Sequence, residues 1–256
     1  MVTSAEELYY RRYLNDLSGN QGYQGGGAGV VTSYSDPLTV ADPLNSNGGK
    51  LDGTKWWFGC AVPVTNNTPL DTPTYSIAAS SKDSQNALLW GLAGATNPQE
   101  QAKAYLLPIA TYLSCYGLTQ FSQCTLVQVV NANGIITAGV TVMCVPANGQ
   151  YFAYIFCVYS VDHSWFLIRY GLTPATLQTG AANSTSDGDI LRLSADISVP
   201  GQVTLTVKKN GNVLTTYVDN SGSRLLIGSP GLGALPTQGS STPKSDWRTF
   251  SCGIGL

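Results

Sequence analysis

The stretch that decides the fold class begins with Gly188-Asp-Ile-Leu-Arg-Leu-Ser-Ala-Asp196. It continues with Gln202-Val-Thr-Leu-Thr-Val-Lys-Lys-Asn-Gly-Asn-Val-Leu-Thr-Thr-Tyr217, and then with Gly228-Ser-Pro-Gly-Leu-Gly-Ala-Leu235. Leu191, Leu193 and Ala195 alternate with Arg192, Ser194 and Asp196, the period-two pattern of a strand with one buried face. Val203, Leu205 and Val207 repeat the pattern against Thr204, Thr206 and Lys208. Asn210-Gly211 then supplies the two positive-φ residues that a type I′ turn needs, so 213–218 is expected to fold straight back. Arg192, Lys208 and Lys209 read as solvated strand faces, and Asp187 and Asp189 as turn residues.

Outward from this hairpin, turn residues recur between short apolar runs, the rhythm of an all-β chain. Strands are expected over 55–63, 75–79, 87–91, 122–131, 135–146, 150–160, 164–171 and 247–253. Residues 97–108 have a helix-like composition and read as a surface excursion. At the other end, Ser4 and Glu7 make a capping box, and Glu7 can pair with Arg11. Tyr10, Tyr13, Leu14 and Leu17 recur at helical spacing over 5–18. The glycine-rich run 20–29 follows as a tether. A lone helix of this length is marginal in water and must dock, either on its own body or on a neighbouring subunit. The expected organisation is a helical arm and tether over 1–29 and a β body over 30–256.

Charged residues make up only 11% of the 256 residues, while hydrophobic residues reach 43% and aromatics 10%. Such a chain can build a core, so disorder is excluded. A net charge of −2 with no basic patch gives no reason to expect nucleic acid. No apolar run approaches the ~20 residues of a membrane span. The cysteines Cys60, Cys115, Cys124, Cys144, Cys157 and Cys252 form no CxxC pair, and His163 is the sole histidine, which disfavours a metal site. Met1 is followed by no basic and apolar leader, so reduced thiols are the expectation.

The order of segments resembles a known family. Gln120-Phe-Ser-Gln-Cys-Thr-Leu126 precedes Gln150-Tyr-Phe-Ala-Tyr-Ile-Phe156 and Trp165-Phe-Leu-Ile-Arg-Tyr170. Gly188-Asp-Ile-Leu-Arg-Leu193, Val203-Thr-Leu-Thr-Val-Lys-Lys-Asn-Gly211 and Ser229-Pro-Gly-Leu-Gly233 follow. This is similar to the concanavalin A-like lectin/glucanase family, including its laminin-G-like domains. The resemblance covers 120–253 and, more loosely, 30–94, where the run 34–44 is similar to the opening strand of such domains. It implies an all-β fold, a jelly-roll sandwich of two antiparallel sheets, here carrying a short N-terminal helical arm. It does not imply one function, because that fold hosts enzymes, lectins, adhesion modules and viral surface proteins.

Glycan-cleaving members of the family use two carboxylates on one strand, about 5–5.5 Å apart in retaining enzymes. Here the glutamates are Glu6, Glu7 and Glu100, none in an expected strand, so no catalytic residue is assigned. Asp162-His163-Ser164 is a hairpin turn, since adjacent residues cannot form a nucleophile relay. Asp187, Asp189 and Asp219 lie in loops and are the calcium candidates, with turn chemistry the leading reading and no cofactor expected beyond that one ion. Trp56, Trp57 and Trp165 are the candidate stacking platforms for a sugar, with burial the competing reading for Trp165, Tyr170 and Trp247.

The leading expectation is a non-enzymatic virion protein, either capsid decoration (cement) or tail-associated. Its arm, through Tyr10, Tyr13, Leu14 and Leu17, would dock on neighbouring capsid or tail subunits, in a homo-oligomer such as a trimer. The alternative is a carbohydrate-binding or adhesion module at a cell surface, and the third reading a glycan lyase or hydrolase.

Overall fold

The computed structural model describes residues 33–39, 56–61, 73–92, 103–108, 118–130, 136–147, 150–159, 161–171, 174–236 and 244–255. Among them are fifteen strands and no helix. In chain order the first seven are β1 (Ser33–Asp36), β2 (Trp56–Ala61), β3 (Pro73–Ala79), β4 (Asn86–Leu92), β5 (Lys103–Pro108), β6 (Gln120–Val130) and β7 (Ile136–Ala147). The next four are β8 (Gln150–Tyr159), β9 (Trp165–Tyr170), β10 (Ala175–Thr179) and β11 (Ile190–Asp196). The chain ends with β12 (Val203–Lys209), β13 (Asn212–Asp219), β14 (Ser229–Pro236) and β15 (Lys244–Ile254). The arm and tether expected over 1–29, with Tyr10, Tyr13, Leu14 and Leu17, lie outside the described residues.

All pairings are antiparallel and build two sheets. The first has the order β13-β12-β11-β6-β15-β4-β3, with β1 also paired to β15; the second has the order β10-β9-β8-β7-β14-β5-β2. The opening hairpin forms as its sequence requires: Asn210 has φ 51° and Gly211 φ 82°, the turn that matches strand twist. Leu191, Leu193, Ala195, Val203, Leu205 and Val207 are fully buried on the inner face of the first sheet. They meet Val140, Val142, Phe156, Val158 and Leu167 of the second sheet in one core. Each such side chain contributes roughly 1.5–3 kcal/mol by leaving water, which outweighs the weak helix propensity of this turn-rich chain.

Two elements differ from the sequence reading. Residues 103–108 form β5, a strand between β14 and β2, rather than part of a helix-like excursion. Leu107 is fully buried there, so burial against the sheet overrides local propensity. The short strand β10, not among the expected strands, lies at the sheet edge, where none of its five side chains is fully buried.

Cys124, Cys144, Cys157 and Cys252 are buried and not disulfide-bonded. Burial pushes the thiols of Cys124, Cys144 and Cys157 well above their ordinary range. These thiols are expected to react with a thiol reagent such as Ellman's reagent only in denaturant. Rapid labelling of Cys144 or Cys157 in the native protein would contradict this packing.

Candidate functional site

The second sheet's outer face is apolar and closed. Its strands β8 and β9 alternate Tyr151, Ala153, Ile155 and Cys157, and Phe166, Ile168 and Tyr170, away from the main core. These side chains form a second cluster with Leu107 and Cys144. Tyr151 stacks at 4.8 Å on Tyr170, whose phenol burial pushes up to about 12. The described strands of this sheet contain no Asp, Glu or His. Its one arginine, Arg169, points inward.

Arg169 belongs to a clamp between the sheets. Its Nη1 donates to Asp219 Oδ2 at 2.8 Å and to Ser221 Oγ at 2.5 Å. Tyr154 Oη donates to the same carboxylate oxygen at 2.7 Å and accepts from the Leu225 amide at 3.0 Å. Ser221 donates to Oδ1 through its amide (3.0 Å) and hydroxyl (2.6 Å). Burial alone would raise the Asp219 carboxyl. Hydrogen bonds from Ser221, Tyr154 and Arg169 outweigh it and hold the group below the ordinary carboxylate range. Asp219 thus has no room for calcium: protein donors fill its oxygens, and the site is structural.

The other calcium candidates separate in the same way. Asp187 Oδ2 accepts from Lys82 at 2.8 Å. Asp189 accepts from Asn210 Nδ2 and the Ser186 amide, each at 2.7 Å. No cluster of three or more His, Cys, Asp or Glu suited to a metal occurs among the described residues. Asp162 Oδ1 accepts from the Ser164 amide at 2.9 Å, and His163 has φ 54°, so Asp-His-Ser is the β8–β9 turn. The described aspartates Asp36, Asp83, Asp196 and Asp246 are likewise engaged. Asp36 accepts from Tyr34 and Trp56, Asp83 from Arg248, Asp196 from Thr119, and Asp246 from Ser80 and Gln128. Asp246 Oδ1 is buried without a hydrogen-bond partner, and no hydrogen-bond donor among the described residues is shared between two carboxylates.

The tryptophan platforms resolve differently from the sequence expectation. Trp56 is 3% exposed, donates from Nε1 to Asp36, and packs edge-on against Tyr34 and Phe250. Trp165 is 6% exposed and packs edge-on against Phe156 at 5.8 Å. Neither ring offers a face to solvent, because each strand turns its bulkiest side chain into the sandwich. The Trp57 side chain lies outside the described residues.

Phe121 lies instead on the outer face of the first sheet, half-buried with Arg192 over its ring. In register across the strands, Lys208, Arg192, Gln123, Ser251 and Ser35 form one row. Thr216, Thr206, Ser194, Phe121, Gly253 and Ser33 form the next. Neighbouring residues in a row stand about 4.8 Å apart, one strand spacing. The Arg192 guanidinium lies 3.9 Å over the centre of the Phe121 ring, a cation–π stack. Its Nε is buried without a hydrogen-bond partner, and burial lowers the pKa of the group. Arg192 is therefore a stacked, partly desolvated donor rather than the freely solvated strand residue its alternation suggested. Sequence reasoning passed over Phe121 because it sits among Ser and Gln.

No family model and no curated protein matches this chain. Among solved structures, the chain is similar to a native glycosidic hydrolase, with TM-score 0.53 and 9% identity over 89% of this chain and 100% of that one. It also aligns with a Bacillus subtilis protein of unknown function with a galectin-like fold (TM-score 0.49, 10% identity, 88% and 97% covered). A carbohydrate-binding module from Bacillus subtilis aligns with TM-score 0.45 and 9% identity, over 75% and 99% of the two chains. At such identity the likeness to the hydrolase concerns the fold alone: two antiparallel sheets in a lectin- and glucanase-like sandwich.

Proposed function

We propose that this protein is a non-catalytic carbohydrate-binding module that holds its glycan on the outer face of the first sheet. The observation that carries this reading is the Phe121–Arg192 stack set among in-register hydroxyl and amide side chains. A sugar ring presents apolar C–H edges and many hydroxyls, so it is met by an aromatic surface flanked by short polar groups. The fold is shared with a glycosidic hydrolase, yet the two outer-face rows that would meet the glycan hold no carboxylate, which supports binding without cleavage. Under this reading the partner is a surface glycan and the place of action a cell surface or its surroundings.

A glycan array with wild type and Phe121→Ala tests it. The ring is expected to supply about 1.4 kcal/mol, so the variant should lose about tenfold in affinity while keeping the wild-type melting temperature within a few degrees. Failure of the wild type to bind any glycan would sink the reading. A second reading, a virion decoration or tail-associated protein anchored by residues 1–29, draws on the capping box and glycine tether of the sequence. The structural likenesses lend it no support. Mass spectrometry of purified particles decides it, because a protein that never co-purifies is not a virion component.

A further inference from the structure

The same face also carries uncompensated charge. Lys208 and Arg192 stand opposite each other on β12 and β11. The described ion pairs are Lys82–Asp187, Arg169–Asp219, Lys209–Asp189 and Arg248–Asp83, and neither Lys208 nor Arg192 takes part in one. The two rows contain no carboxylate. Asp196, further along β11, already accepts from Thr119 Oγ1 at 3.1 Å and from the Ser198 amide at 2.8 Å. Arg192 is thus held by Phe121 on one side, its buried Nε has no hydrogen-bond partner, and its charge has no anionic partner among the described residues. The two Nη groups at the tip of the guanidinium form a planar fork that matches the two oxygens of a carboxylate, a match that a lysine cannot reproduce.

We propose that the outer face of the first sheet binds a carboxylate-bearing, uronic acid polysaccharide laid across the strands. Arg192 takes one carboxylate end-on through its two Nη groups, Phe121 fixes the guanidinium plane, and Lys208 and Gln123 hold the sugars on either side. Successive anchors lie one strand apart, about 4.8 Å, on the scale of one sugar ring. This assignment rests on the glycan-binding reading and names its ligand class.

The test is titration of the full chain with oligogalacturonate, a neutral β-glucan oligomer and a single-stranded DNA oligonucleotide at two salt concentrations. Oligogalacturonate is expected to bind at least about tenfold tighter than the neutral glucan, and more weakly at high salt. Arg192→Gln should remove most of that preference, Arg192→Lys should restore only part of it, and Lys208→Gln should weaken it several-fold. Circular dichroism melts confirm that these surface variants remain folded. Equal binding of acidic and neutral glycans, unchanged in Arg192→Gln, would overturn this proposal while leaving glycan binding intact. DNA binding as tight as that of oligogalacturonate would overturn the ligand class. Binding of none of the three would defeat this proposal, while the glycan array decides the glycan-binding reading separately.

Discussion

Asp219→Ala is expected to destabilise the fold by about 3–5 kcal/mol, the cost of breaking a buried ion pair by removing one partner. Asp219 is 1% exposed, and its loss leaves Arg169 without its carboxylate and Tyr154 without an acceptor. The effect crosses the sandwich, since Tyr154 and Arg169 sit opposite each other on β8 and β9 while Asp219 ends β13. The segment after β13 is tied down by the same group, through Ser221 and through Tyr154 to the Leu225 amide. Asp219→Asn keeps the shape but loses the charge opposite Arg169, and should cost less. The dependence on pH has a definite sign. The folded carboxyl is held below its ordinary range, so its contribution is present above about pH 4 and is lost as pH falls through the lower folded value. Urea melts at pH 7 and near pH 3 check both points: the gap between wild type and Asp219→Ala should narrow in acid. An equal gap at both values would show that packing, not charge, carries the clamp.

Gly139→Ala is expected to abolish the soluble fold, at a cost of more than about 3 kcal/mol. Gly139 lies in the middle of β7, paired with Cys157 on β8 and Gly233 on β14. A Cβ there would run into the Phe156 carbonyl oxygen and the Cys157 Cα, both backbone atoms that cannot rotate away. Relief would require parting two central strands. Gly222→Ala is the control, because nothing lies within 4 Å of the added carbon and the backbone is not left-handed. That change should stay within about 0.5 kcal/mol of wild type. Expression of folded Gly139→Ala with a near-normal melt would show that β7 and β8 are spaced more loosely than described.

Much of the architecture was legible because alternation, turn chemistry and burial agree along most strands. Asn210-Gly211 could be read to the φ angles it adopts, and β12 presents the faces its pattern assigned, whereas β13 leaves Val213 and Val218 exposed. Residues 103–108 misled because Ala, Leu and Lys favour helix in isolation, whereas neighbours on both sides decide the matter in a sheet. The binding face was the least legible part. In β6 the inner positions include Gln120 and Ser122, and an outer one holds Phe121, the reverse of the usual polarity. Gln120 and Ser122 can be inside because they bridge the sheets, donating to the carbonyls of Gly228 (3.0 Å) and Gly231 (2.7 Å). Those partners lie more than a hundred residues away, so no local pattern announces them. Trp56 failed as a platform for a related reason: its acceptor, Asp36, lies twenty residues away in the other sheet and satisfies the buried indole.

The most direct test of the account is NMR shift mapping of the isotope-labelled chain during titration with oligogalacturonate and a neutral glucan oligomer. The account predicts perturbations confined to Phe121 and Gln123, Arg192 and Ser194, and Thr206 and Lys208, with the Arg192 signals moving furthest. Perturbations centred on β8 and β9 instead, or none with either glycan, would contradict it.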